Sequence, residues 1–184
     1  MSVVRLALYD HPDGVSGGDA QQVTYDVDQG RAHFGPVDVE GHALVWRLEP
    51  AGTGDGALLA HDVRLDPDGD WIVRCDRVDF PPAAVAYTHT HPGPGIRYLL
   101  QGALEVRTEG RTAVYRPGEA WFESGPDPVH ATAAPDGETA FVRVLLLPAE
   151  WEGRRTIRYV DPADEQRPKR QRPTVFFDRP LSLR

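Results

Sequence analysis

The chain has 184 residues, 40% of them apolar, and a formal net charge of −8, which is enough for one domain with a buried core, with or without arms. The acidic balance argues against nucleic acid and anionic lipid, both of which select basic surfaces. A single cysteine, Cys75, excludes an internal disulfide framework and suits a reducing cytoplasm, and no basic start with a long apolar run marks a leader or a membrane span.

Residues 1 to about 40 are rich in Gly and Asp and weakly patterned, so 1–39 is read as an N-terminal arm with one edge strand at Val23–Val27. Ala43–Leu48 reads as a strand, and Leu58–Leu65 alternates. Pro67-Asp68-Gly69-Asp70 is a hairpin turn, and Trp71–Phe80 alternates again until Pro81-Pro82 ends it. His11, His33, His42 and His61 have no partner at strand or helix spacing and are read as surface or structural residues.

The stretch Pro81–Gly102 organises the rest. His89 and His91 are two apart, and alternate side chains of an extended strand share a face. Both imidazoles can therefore converge on one point. Pro92-Gly93-Pro94-Gly95 then turns the chain, and Ile96–Leu100 runs back. Short strands follow at Ala103–Arg107, Thr112–Tyr115, Ala120–Glu123, Val129–Ala133 and Thr139–Leu147, with Gly and Pro turns between them. That spacing predicts a sandwich or barrel. His130 lies on the fourth of these strands, and two histidines on one strand with a third from a distant strand are enough to hold a transition metal.

After Pro148 the sequence becomes charged and proline-rich, with apolar islands at 157–160 and 174–177. It is read as a C-terminal arm, 149–184, packed on a sheet edge or on a neighbouring subunit. Arginine dominates the basic residues, Lys169 being the only lysine, and with the many Ala, Gly, Pro and Asp residues this suggests a GC-rich bacterial genome.

The stretch from Pro81 to Ala131 resembles the cupin superfamily. His89, His91 and Gly102 match its first motif, Tyr98-Leu99-Leu100-Gln101-Gly102 its familiar end, and Pro117-Gly118-Glu119 with His130 its second motif. The resemblance implies an all-β fold: a cupin double-stranded β-helix, or jelly-roll barrel, over 40–148 with extra N- and C-terminal strands, and a homodimer. It also implies a divalent transition metal (Fe, Mn, Ni, Zn or Cu) on His89, His91 and His130. The departures are specific. Ala83 replaces the first glycine, Gly95 the glutamate ligand, and Ala134 the final asparagine. Either three histidines hold the metal with open positions, or an acid such as Glu123 completes the set.

Counted by strand alternation, Tyr87 and Arg97 share the face of the histidines. An inward Arg97 either forks a substrate anion or is neutralised by Glu123. Arg97, Glu123 and Tyr87 are therefore the catalytic candidates. The expected activity is that of a metal-dependent enzyme on a small organic molecule, of dioxygenase type; a redox-neutral isomerase, lyase or cyclase, and a non-catalytic ligand-binding cupin, are the alternatives.

Overall fold

The computed structural model describes residues 2–183; residues 1 and 184, the outermost of the two arms, lie outside the described residues. Five strands, β1 (Ser2–His11), β2 (Val23–Asp26), β3 (Arg31–Phe34), β4 (Ala43–Pro50) and β5 (Leu59–Leu65), form a first sheet in the order β3-β2-β4-β1-β5. Ten more follow: β6 (Trp71–Phe80), β7 (Val85–Thr90), β8 (Gly95–Gln101), β9 (Leu104–Thr108), β10 (Arg111–Tyr115), β11 (Ala120–Glu123), β12 (Val129–Ala133), β13 (Thr139–Pro148), β14 (Arg158–Tyr159) and β15 (Arg172–Leu181). They make a second sheet, β11-β8-β13-β6-β15, and a third, β10-β9-β12-β7-β14. The paired strands of all three sheets run antiparallel, and the second and third sheets face each other as the jelly-roll barrel.

The second sheet is buried on both faces, which explains the run of apolar residues in β13. Val142, Val144 and Leu146 pack with Leu6, Leu8 and Trp46 of the first sheet, while Phe141 packs with Leu104 and Val129 of the third. Cys75 lies fully buried in the first of these cores, and burial pushes its thiol well above the ordinary range. It serves as a small apolar residue.

β1 was not legible as a strand, yet it pairs with both β4 and β5. Leu6, Ala7 and Leu8 are buried in succession, so its sequence lacks the alternation that marks a half-buried strand. The C-terminal arm takes the sheet-edge alternative. β15 pairs with β6 from Arg172 to Leu181, and β14 pairs with β7 at His89 and Thr90. Of its apolar islands, Phe176 and Phe177 pack against the chain's own core, while Val160 and Val175 stay about half exposed.

One buried ion pair fastens the arm. Arg74 on β6 lies directly opposite Asp178 on β15 and forks its carboxylate at 2.6 Å through both Nε and Nη2, while the Gly153 N–H donates to the same carboxylate at 2.8 Å. Burial alone would raise the Asp178 carboxyl; the hydrogen bonds from Arg74 and Gly153 and the Arg74 charge outweigh it and hold the group below the ordinary range. A depressed carboxyl contributes stability that is complete above its unfolded value and is lost as pH falls through the folded one. Asp178→Asn is therefore expected to cost about 1–3 kcal/mol at neutral pH. Its difference from wild type in urea melts should shrink below about pH 4, and a difference independent of pH would refute the assignment.

Candidate functional site

The site is built from transverse rows of the second sheet. Trp121 of β11 pairs with Arg97 of β8, Arg97 with Arg143 of β13, and Arg143 with Asp76 of β6. Two rows away, on the same face, Glu123 pairs with Gly95. His89 comes from the end of β7 in the facing sheet. His91 lies just beyond it, its backbone N–H donating to the Gly125 carbonyl at 2.7 Å. A side chain at position 125 would meet the Gly93 backbone at 2.5 Å, so a glycine there lets the two loops touch and fixes His91.

His89 and His91 are both buried, and their Nε2 atoms stand 3.2 Å apart. His89 Nδ1 lies 2.7 Å from the Tyr87 carbonyl, which can only accept, so Nδ1 carries the proton and Nε2 presents a lone pair. At His91 the neighbour is Arg143 Nη1, 3.3 Å away, which can only donate, so His91 Nε2 presents a lone pair too. Burial lowers the His89 imidazole below its ordinary range. Burial, followed by the charges of Arg143 and Arg97 and by His89, lowers His91 well below it. The result is two neutral imidazoles whose Nε2 atoms face one point, the His91 lone pair accepting there from Arg143.

Glu123 completes the group. Trp121 Nε1 donates to its Oε1 at 2.8 Å, while its Oε2 lies 2.5 Å from Arg97 Nη2 and 4.0 Å from His91 Nε2. The Arg97 contact is off the N–H direction, an ion contact more than an aligned hydrogen bond; its Nη1 donates to the Gly95 carbonyl at 2.7 Å. Burial lowers Arg97 to about 10 against the opposing charge of Glu123, which leaves it cationic at neutral pH. Burial also works against the Arg143 charge, but Asp76, through its charge and its fork of 2.6 and 3.0 Å, raises the guanidinium overall, with help from Glu123.

Of the six expected site residues, His89, His91, Arg97 and Glu123 come together here. Tyr87 and His130 do not. β7 carries a bulge against β12: Val129 pairs with His89 and Ala131 with Ala86, so three residues of β7 span two of β12. The extra residue breaks the alternation and turns Tyr87 outward, where the Arg167 guanidinium lies 4.2 Å over its ring. On β12, Val129 and Ala131 face the cavity, while His130 lies on the other side with Nδ1 3.4 Å from Thr88 Oγ1. The second motif is one residue out of phase, and Val129 holds the inward position expected for its histidine. Arg143 and Asp76 are site residues the sequence reading missed; Arg143 is the one charge inside the apolar run of β13, and that was the available signal.

The fold places this group at one end of a cavity of about 380 Å³, walled mainly by Val78, Phe80, Leu104, Val106, Val129 and Phe141. That is within the size of small-ligand sites. Residues 76–145, which carry most of these groups, match the family model for a cupin domain. That stretch is a cupin domain. No curated protein matches the chain. Among solved structures, the polyketide cyclase RemF from Streptomyces resistomycificus is 24% identical, with a TM-score of 0.40 over 56% of this chain and 72% of that one. KdgF from Halomonas sp. is 28% identical, with a TM-score of 0.35 over 45% and 73%. A recombinant oxalate oxidase in complex with glycolate is 21% identical, with a TM-score of 0.38 over 44% of this chain. The chain spans 52% of that oxidase. At such TM-scores the likenesses carry no argument about activity.

Cupins generally bind a metal, and the side chains here can be tested against one. Two donors about 2.0–2.1 Å from one ion, meeting near a right angle, stand about 3 Å apart, and the two Nε2 atoms do so. The Tyr87 carbonyl supplies the partner that orients a ligating histidine. The glutamate position of the first motif is closed: a Cβ on Gly95 would meet the Val144 carbonyl at 2.3 Å and Leu145 Cδ2 at 2.6 Å. Among the described residues no three His, Cys, Asp or Glu are already drawn into a full ligand set. The two imidazoles are in place, Glu123 is the nearest carboxylate, and the Arg143 guanidinium supplies positive charge where an ion would. The two imidazoles are spaced to share a divalent ion, and Glu123, 4.0 Å from His91 Nε2, is a carboxylate beside them, while His130 lies apart. Gly95→Ala is accordingly expected to destabilise the barrel by about 1–3 kcal/mol through overpacking, seen as a lowered melting temperature; an unchanged one would show that Leu145 and the β13 backbone can yield.

Proposed function

We propose that this cupin is a metal-dependent oxidoreductase of dioxygenase type, acting on a small organic molecule and holding its metal through His89, His91 and Glu123. The observation that carries the reading is the convergence of two imidazole lone pairs at 3.2 Å with a buried carboxylate beside them. Two histidines and one carboxylate with open positions are the donor set of non-haem iron(II) oxygenases. When bound, such an ion would supply the one-electron chemistry that lets a dioxygenase use O₂.

The chain's own residues do the rest. Trp121 and Arg97 orient Glu123. Tyr87, through its carbonyl, fixes the His89 tautomer. The apolar walls exclude water, and low polarity strengthens every charge interaction at the inner end. Oxygen uptake by iron-loaded protein, offered a panel of small organic acids, thiols and phenols, tests the proposal. Metal-dependent uptake supports it. Conversion of a substrate without oxygen would move the reading to a redox-neutral isomerase, lyase or cyclase, and binding without conversion to a ligand carrier. The dimer expected from the family resemblance belongs with this proposal and is read from sedimentation.

A further inference from the structure

We propose that the cavity is built for an organic anion, a carboxylate on an apolar body, whose charged head is taken by Arg143. This rests on reading the cavity as the substrate site, but not on the metal. The Arg143 guanidinium lines the cavity and has five N–H donors. Asp76 accepts from Nε and Nη2, and His91 receives one more from Nη1. Two N–H groups are left over, on a side chain only 7% exposed. Asp76 holds the fork from behind, so its direction is set before a ligand arrives. A preorganised guanidinium is the group that binds a carboxylate through paired hydrogen bonds.

Arg97 and Arg143 are offset by Glu123 and Asp76, so the four buried groups sum to zero and set no net negative charge against an entering carboxylate. On the solvent side, exposed Arg154 and Arg155 and half-buried Lys169 also line the cavity. Arg155 is paired with Glu165; Lys169 lies over the Tyr159 ring at 4.8 Å. Among the described residues neither Arg154 nor Lys169 has a carboxylate partner. A chain with net charge −8 thus presents cations on this side, which favours the approach of an anion. The body of the ligand meets Val78, Phe80, Leu104, Val106, Val129 and Phe141, which offer hydrophobic contact and no hydrogen bonds.

The test is titration calorimetry of chelator-treated protein with naphthoate and with its neutral isostere naphthamide. Wild type is expected to prefer naphthoate by about tenfold or more. In Asp76→Asn with Arg143→Gln, which removes both buried charges together, the two probes should bind alike. Arg143→Lys keeps a cation against Asp76 and guards against a double variant that fails to fold; it should weaken naphthoate and leave naphthamide unchanged. Equal binding of the two probes to wild type, no binding of either to the folded protein, or a preference that survives loss of Arg143 would overturn the proposal. Because the protein is stripped of metal, these outcomes are separate from those that test the metal.

Discussion

Arg97→Met is expected to destabilise the barrel by about 3–5 kcal/mol, since it leaves Glu123 charged and buried with its closest partner gone. Arg97 has no exposed surface, and its Nη2 is 2.5 Å from Glu123 Oε2. Trp121 still donates one hydrogen bond to Glu123, but one neutral donor does not replace a cation. Glu123→Gln alone strands the guanidinium in the same way. The two together remove both charges, and the double variant should be more stable than the sum of the single losses, with a coupling of about 0.5–3 kcal/mol in urea denaturation. Strictly additive losses would show that the pair does not act as a unit.

The second large effect is on metal. His91→Ala removes one of the two convergent lone pairs, and affinity for a divalent ion is expected to fall by more than the 10- to 100-fold typical of losing an outer-shell partner. The barrel should remain folded, because His91 lines a cavity and its loss enlarges existing space. Equilibrium dialysis with cobalt(II) gives the affinity, and circular dichroism the fold. Unchanged uptake by a folded His91→Ala protein would remove this residue from the site.

Much of the fold was legible in short periodic segments. Strands β6 to β13 stood out because Gly and Pro turns separate them at regular spacing, and the His89–Gly102 stretch indicated both the local geometry and the family. β1 was hidden because three successive buried residues mask its alternation. The candidate site was legible to the extent that strand parity held. It held for His89 and His91 and for Arg97; Glu123, read only as an acid able to complete the set, lies opposite Gly95. It failed at Tyr87, where a bulge adds a residue to β7, and at His130, where the second motif runs one residue late and Val129 turns inward. Neither displacement leaves a mark in sequence, since a bulge is decided by pairing with a strand forty residues away. Asp76 and Arg143 were missed for a related reason: Arg143 looks like an isolated charge in β13, Asp76 is one of four charges in β6, and only the register of β13 against β6 makes them a pair.

Metal content per chain shows which side chains hold the ion. Protein purified without chelators and then loaded with one divalent metal is assayed by elemental analysis as wild type, Glu123→Gln and His130→Ala. One equivalent is expected in wild type and in His130→Ala, because His130 faces Thr88 on the outer side of the sheet, and a large loss in Glu123→Gln. A His130→Ala protein that loses its metal while Glu123→Gln keeps it would assign the ion to His130 in place of Glu123, and a wild type that takes up none under any loading condition would rule out a metal here.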